Sequence, residues 1–128
     1  DGITLAGGIT GFPWWVDDPL VQEYRDALAA GGVDEEGIND PTSTGLWSAL
    51  QLFATAQANL SDDPTGAEAI ENMYTIQDET LGGLIAPVSY SADNLDRSRH
   101  CFWPFILQDG EMTAPLGGLT YQCNPAEG

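Results

Sequence analysis

Apolar residues follow helical spacing in three segments in the middle of the chain. The first helix begins at the acidic cap and proline of Asp17-Asp18-Pro19 and ends at Gly31-Gly32. Residues 33–41 then read as a polar loop. The second helix spans about residues 43–60, and the third follows the capping box Thr65-Gly-Ala-Glu68. The pattern therefore predicts three helices, separated by turns rich in Asp, Gly and Pro.

The second of these helices is apolar around nearly its whole circumference. Its apolar residues are Leu46, Trp47, Ala49, Leu50, Leu52, Phe53, Ala54 and Ala56. A helix with this composition is normally buried on most sides. We therefore expect residues from outside this chain to cover part of it. The isolated chain should then expose apolar surface and self-associate.

Strands are predicted on both sides of the helices. Residues 3–9 form a short apolar run, and Pro13 ends it because proline cannot extend a ladder of backbone hydrogen bonds. Residues 85–90, after Leu81-Gly-Gly-Leu84, predict a second strand. Together with a C-terminal hairpin, these segments give an α/β fold of about three helices and two strands.

The hairpin is predicted from residues 101–107 and 119–123. A register that pairs Cys101 with Cys123 produces good cross-strand partners. These are Trp103 with Tyr121 and Phe105 with Leu119. The register supports a Cys101–Cys123 disulfide, and the alternative is two unpaired buried thiols. Pro104 indicates that the first arm is an edge strand or is locally irregular.

Charge narrows the possible partners more than length does. The chain has 128 residues, 20 of them Asp or Glu and three of them Arg, for a net charge of −17. Nucleic acid and anionic membrane surfaces need cationic patches, so both are excluded as expected partners. No run of residues is long and apolar enough to span a membrane. Because the chain starts at Asp1 without Met, we expect that a leader or a domain upstream has been removed.

Candidate catalytic and metal-binding groups are weak. His100 is the single His and lies beside Cys101, so the two cysteines predict neither a zinc site nor a CxxC redox pair. With 20 acids, a pair such as Asp17 and Glu23 arises by chance. The loop at residues 93–96 lacks the spacing of a calcium loop, and the glycosylation pattern at residues 59–61 lies at a helix end. We expect no enzymatic activity, no metal and no cofactor.

Six segments, taken in order, resemble the C-terminal third of the type I periplasmic solute-binding proteins, the branched-chain amino-acid receptors of ABC transporters. The resemblance runs over about residues 5–112. The segments are Gly7-Gly-Ile-Thr-Gly-Phe-Pro-Trp14, Leu20 to Gly31, Ser43-Thr-Gly-Leu-Trp-Ser-Ala-Leu-Gln-Leu-Phe-Ala-Thr-Ala56, the helix from Asp63, Gly82 to Ser91, and Phe105-Ile-Leu-Gln-Asp-Gly110. The chain departs from the family in three ways: Trp47 replaces the usual Tyr, the cysteine pair is not general, and the N-terminal portion is absent.

This resemblance implies part of a two-lobed protein that closes on a small solute at a hinge. Residues 1–13 would be a strand and crossing from one lobe, residues 14–92 the helical part and strand of the other lobe, and residues 93–128 a crossing and the disulfide-closed hairpin. The full-length protein would capture an amino-acid-like solute and deliver it to an ABC permease. It would be extracytoplasmic, in the periplasm or lipid-anchored at the cell surface through the missing N-terminus.

Tryptophans are the candidate ligand-binding residues. The resemblance places the side chain of Trp47 in the cleft, with core packing as the equal alternative. Trp14 and Trp15 lie on a predicted crossing, where one of them could face a ligand or both could anchor the hinge. An alternative function is a small secreted carbohydrate-binding module that uses Trp14, Trp15 or Trp103. A part of an acid-pair hydrolase is the third possibility. The long helices argue against the second, because small carbohydrate-binding modules are mostly β.

Overall fold

A computed structural model describes residues 3–7, 11–93 and 101–123, with the backbone alone for residues 3–7. His100 and most of the loop at residues 93–96 lie outside these ranges, as does the second predicted lobe crossing. The described chain is a small mixed fold of helices and an antiparallel sheet. The helices are α1 Pro19–Ala30, α2 Glu35–Ile38, α3 Pro41–Ala56 and α4 Gly66–Met73, with a 3-10 turn at Leu81–Gly83. The strands are β1 Ile3–Gly7, β2 Cys101–Gln108, β3 Glu111–Thr113 and β4 Gln122–Cys123.

Side-chain caps start the helices. Asp18 accepts a hydrogen bond from Leu20 N at 2.9 Å, and Asp40 accepts one from Thr42 N at 2.7 Å. Helix α3 begins at Pro41, earlier than predicted, because Asp40-Pro41 repeats the cap-and-proline signal that starts α1. Asp34 caps α2 in the segment that was predicted as a loop.

Within this chain, helix α3 is buried on one side only and exposes apolar surface on the other, as the sequence predicts for the isolated chain. Its buried residues follow one stripe of every fourth position: Thr44, Ser48, Leu52 and Ala56. The hydroxyl of Ser48 donates to Thr44 O, so its burial leaves no donor unpaired. On the other side, Leu46, Leu50 and Phe53 are 61%, 58% and 50% exposed. The helix therefore packs on the domain through one narrow face and presents a row of large apolar side chains to solvent.

The sheet is built around β2. Strand β1 pairs along one edge of β2, from Ile3 opposite Leu107 to Gly7 opposite Trp103, and β3 pairs along the other edge. Strand β4 pairs with the first two residues of β2. All three pairings within the described ranges are antiparallel. Pro104 lies opposite Ala6 of β1 and falls between the stretches of β2 that pair with β3 and β4. Strand β2 is therefore central, and not the edge strand that Pro104 suggested.

Two further strand predictions need correction. Residues 85–90 form no strand; one isolated bridge joins Glu79 to Val88. The main hairpin partner of β2 is β3, reached through the turn at Asp109-Gly110, because both turn residues adopt the positive φ that such a tight turn requires. The predicted arm at residues 119–123 is reduced to the two residues of β4.

The predicted disulfide is present in the structure. Cys101 and Cys123 are opposite each other across β2 and β4 and are bonded, 22 residues apart in sequence. Trp103 contacts Tyr121, as the same register requires, with ring centroids 6.1 Å apart. On the chain-entropy model a loop of this length stabilises the fold by about 3 kcal/mol.

Two apolar clusters fill the interior. The larger one joins the helices to the sheet: its buried members are Phe12, Val21, Tyr24, Ile38, Leu84 and Trp103. The smaller one lies between α3 and the following segment and has Leu52, Ala56 and Ile76 at its centre. Leu81 packs against both clusters and so links them. Among the described residues, no helix is long and apolar enough to cross a membrane.

Candidate ligand-binding site

An open cavity of about 410 Å³ lies where the segment before α1 meets α1 and the end of α2. It is lined by Trp14, Trp15, Val16, Asp17, Gln22, Arg25 and Asn39. We call it the Trp14–Arg25 cavity. Two indoles and four planar polar groups therefore converge on one space. Its volume falls within the range of about 300–1,000 Å³ that is usual for small-molecule sites.

Two buried residues just before Trp14 and Trp15 hold this side of the Trp14–Arg25 cavity in place. Phe12 and Pro13 are fully buried, and the ring of Phe12 packs edge-on against Tyr24, with centroids 5.2 Å apart. Trp14 and Trp15 follow, half-buried, with their rings at 85° and their centroids 4.9 Å apart. Trp15 also packs against Phe105 of β2 at 5.3 Å. Both indoles are thus fixed by the domain core.

Tyr24 anchors α1 beneath the cavity. Its side chain is completely buried, and its hydroxyl donates to Ile38 O at 2.6 Å. Desolvation by burial raises the pKa of Tyr24. The phenol therefore stays protonated and keeps α2, with the neighbouring Asn39, tied to α1.

Arg25 supplies the cationic group of the cavity. Its guanidinium donates to Asn39 Oδ1 at 2.8 Å and more weakly to Trp14 O at 3.4 Å. A guanidinium carries five N–H donors, so these two bonds orient the plane and leave further donors for a ligand. Within residues 3–7, 11–93 and 101–123, Arg25 is the single basic residue. The cavity therefore combines the cationic Arg25 with the carboxylate of Asp17 on a strongly acidic chain.

Trp15 also has a buried polar atom without a partner. Its indole Nε1 is inaccessible and makes no hydrogen bond with the described residues. Leaving a buried donor unpaired costs about 1–3 kcal/mol. The N–H is therefore a cost of packing this indole on the domain and not a group that the cavity offers to a ligand. Trp103 Nε1, which lies in the core, is likewise buried without a hydrogen-bond partner among the described residues.

Trp47 lies at a different place. It packs on Tyr24 with centroids 5.7 Å apart and lines a second cavity of about 210 Å³. That cavity is lined by Leu20, Glu23, Trp47, Gln51, Leu81 and Leu84, and we call it the Trp47–Glu23 cavity. The three tryptophans predicted as ligand-binding residues are thus divided: Trp14 and Trp15 share one cavity, and Trp47 lines another. Asp17 and Glu23 are likewise divided between the two, so they do not line a common cavity.

Helix α1 separates the two cavities. Gln22 and Arg25, three residues apart, line the first, whereas Leu20 and Glu23 line the second. The buried Val21 attaches the helix to the core between them. The polar residues of the first cavity were not predicted from the sequence. One signal was available: Arg25 is the only basic residue in the first 96 positions.

No group of three or more His, Cys, Asp or Glu side chains that could hold a metal ion occurs in the part of the chain that the structure describes. The glycosylation pattern at residues 59–61 is exposed at Asn59, while the hydroxyl of Ser61 donates to Glu68 Oε2 at 2.8 Å.

Comparison with known proteins gives limited similarity. No protein-family model matches the chain, and no solved structure matches it. Over 82 residues, 64% of this chain, it is 32% identical to proteins named molybdenum cofactor sulfurase from two strains of Aspergillus fumigatus. The match covers 9% of each sulfurase, so the chain spans a small part of the curated relatives it matches.

These findings overturn the resemblance to the type I periplasmic solute-binding proteins, and we correct that assignment. The matched proteins are sulfurases, and no periplasmic binding protein is among the findings. The six segments that carried the resemblance are short combinations of a cap, a glycine turn or a helix of small apolar residues, which many α/β proteins share. Delivery to an ABC permease was inferred from that resemblance and remains an untested prediction.

Proposed function

We propose that this protein binds a carbohydrate, as a single sugar ring or a short saccharide, in the Trp14–Arg25 cavity. The observation that carries the proposal is the convergence of two fixed indoles with Asp17, Gln22, Arg25 and Asn39 on one cavity of about 410 Å³. The role is binding without catalysis. It corresponds to the alternative function considered from the sequence, a small secreted carbohydrate-binding module, and not to capture of an amino-acid-like solute.

The indoles suit one face of a sugar ring. A pyranose presents a patch of C–H groups on one face and hydroxyls around its rim, and an indole offers a broad apolar surface with a negative face. Trp14 and Trp15 lie at 85° to each other, so one ring can stack beneath a sugar while the other borders its edge. Because both rings are half-buried and packed on the core, little side-chain entropy is lost on binding.

The polar groups suit the hydroxyl rim. Each sugar hydroxyl both donates and accepts, so it requires partners of both kinds. Asp17 accepts, Arg25 donates, and the amides of Gln22 and Asn39 do both. Arg25 is already oriented by Asn39 at 2.8 Å, which favours paired hydrogen bonds to neighbouring hydroxyls or to a sugar carboxylate.

The disulfide supports an extracytoplasmic location. Structural disulfides form and persist in secreted and periplasmic compartments and are rare in the cytosol. The Cys101–Cys123 bond joins two strands of the sheet and so belongs to the fold itself. We therefore propose that the protein acts outside the cytoplasm, where free saccharides and polysaccharide chains are accessible ligands.

The test is calorimetric titration with a panel of neutral and acidic mono- and disaccharides, with amino acids as the competing ligand class. We expect at least one saccharide to bind and Trp14→Ala to weaken it by about 30-fold, equivalent to the roughly 2 kcal/mol of an aromatic anchor. Trp47→Phe is the matched control, because Trp47 lines the other cavity and a phenyl ring keeps an aromatic contact with Tyr24, and it should leave saccharide affinity unchanged. Amino-acid binding without saccharide binding, or equal losses in both variants, would contradict the proposal.

A further inference from the structure

The Trp47–Glu23 cavity has chemistry of its own. Four of its six lining residues are apolar: Leu20, Trp47, Leu81 and Leu84. The remaining two are Glu23 and Gln51, and no basic side chain is among the lining residues. Its volume of about 210 Å³ exceeds the roughly 150 Å³ of an engineered protein cavity that accepts benzene. It can therefore hold a small organic group and present it to one carboxylate.

The wall formed by Leu81 is held in an uncommon backbone conformation. Leu81 has φ 49°, in the left-handed region that a bulky residue rarely adopts. Glu79 Oε1 accepts hydrogen bonds from Thr80 N at 3.0 Å and from Leu81 N at 2.7 Å, which stabilises this turn. The next residue, Gly82, lies against Leu20 so closely that a Cβ there would be 2.6 Å from Leu20 Cδ1. Strain maintained by specific contacts is typical of sites that shape a ligand.

Electrostatics select the ligand class. An indole attracts a cation to its face, most strongly where water is excluded, and Glu23 adds a formal negative charge at the same cavity. The net charge of −17 also raises the local concentration of cations around the whole molecule. A small hydrated metal ion is disfavoured, because only Glu23 and Gln51 offer side-chain oxygens and the other four lining residues are apolar. An organic ammonium group meets all of these conditions.

We propose that the Trp47–Glu23 cavity binds a small organic ammonium ligand, with its alkyl part among the leucines and its cationic head between Trp47 and Glu23. This site is separate from the saccharide site, because the two cavities share no lining residue. Success or failure of one proposal therefore leaves the other standing.

The probe is choline, and its matched control is 3,3-dimethylbutan-1-ol, which has the same shape without the charge. Binding is followed through the indole N–H signals of the four tryptophans in two-dimensional NMR, with the Trp47 signal assigned from Trp47→Phe. We expect choline to shift the Trp47 signal with millimolar affinity or better and to bind at least about fivefold more tightly than the neutral alcohol.

Two carboxylate variants separate a local contact from the general acidic charge. Glu23→Gln should weaken choline about fivefold and leave the alcohol unchanged, in line with a partly solvated ion pair. Glu71→Gln removes the same charge from an exposed position on α4 outside the cavity and should change neither affinity. The proposal is overturned if choline and the alcohol bind equally, if both variants weaken choline to the same extent, or if about 10 mM choline leaves the Trp47 signal unmoved.

Discussion

Gly11 determines how the segment carrying Trp14 and Trp15 docks on α3, and Gly11→Ala tests this contact. A Cβ at residue 11 would lie 1.9 Å from Thr44 Oγ1, 2.7 Å from Gly45 N and 2.8 Å from Pro41 O. All three distances are far below van der Waals contact. Two of the atoms are backbone in the first turn of α3, so they move only if the helix moves.

The side chain of Thr44 cannot easily yield. Thr44 is fully buried, and its hydroxyl donates to Pro41 O at 2.9 Å. Overpacking a buried site costs about 1–3 kcal/mol, and loss of this hydrogen bond adds about 1 kcal/mol. Gly11→Ala should therefore lower the free energy of unfolding by about 2–4 kcal/mol, a large part of the roughly 5–15 kcal/mol of an ordinary domain.

The assay is urea denaturation followed by circular dichroism and by tryptophan fluorescence. The control is Gly66→Ala at the start of α4, where an added Cβ meets no atom within 4 Å. That substitution should leave stability unchanged or raise it by up to about 1 kcal/mol. Adding Thr44→Ala to Gly11→Ala should recover part of the loss, because it removes the closest clashing atom. A Gly11→Ala protein within about 0.5 kcal/mol of the parent would refute this reasoning.

Three other perturbations have defined outcomes. Tyr24→Phe leaves Ile38 O buried without its 2.6 Å donor, so chemical denaturation should show a loss of about 1–3 kcal/mol; an unchanged midpoint would contradict the role of this bond. Hydrogen bonds from Ser61, first from its backbone N–H and second from its hydroxyl, lower the pKa of Glu68 below its usual 4.5. The stabilisation of the fold by the Glu68 carboxylate is therefore complete above pH 4.5 and is lost as the pH falls through the lower folded-state pKa. Ser61→Ala removes only the hydroxyl and keeps the backbone N–H, so it should reduce this acid dependence in part in pH-resolved melting curves, and a curve identical to that of the parent would count against the hydroxyl's role. The exposed apolar row on α3 that includes Leu50 should cause self-association, and added salt should strengthen it because salt screens the repulsion between acidic chains. Light scattering should find this self-association abolished by Leu50→Glu. A parent protein that is monomeric at every salt concentration would exclude it.

Local signals in the sequence predicted α1, α3 and α4 and missed the short helix α2. Asp18-Pro19 and the Thr65 to Glu68 capping box mark the starts of α1 and α4, because a cap is a contact between residues two or three positions apart. The predicted start of α3, near residue 43, is later than the observed start at Pro41, because the cap-and-proline signal at Asp40-Pro41 lies in the segment predicted as a loop. The disulfide was also predictable, since its register could be checked against the Trp103–Tyr121 pair.

Long-range pairing was not predictable in the same way. The placement of β2 at the centre of the sheet depends on β1, about 100 positions earlier, and no local pattern records that pairing. Residues 85–90 have strand-like composition, but a segment becomes a strand only when it has a neighbour to pair with, and here one bridge forms. The cavity-lining residues Gln22 and Asn39 had no signal at all, because they meet the tryptophans only through the packing of α1 on α2.

Saccharide binding at the Trp14–Arg25 cavity is tested most directly by the indole N–H signals of the four tryptophans during a saccharide titration. Single Trp→Phe variants assign each signal. Saccharide binding at this cavity predicts that a saccharide shifts the signals of Trp14 and Trp15 in a saturable way and leaves those of Trp47 and Trp103 in place. Signals that all stay unmoved across the saccharide panel, or a shift confined to Trp47, would contradict it.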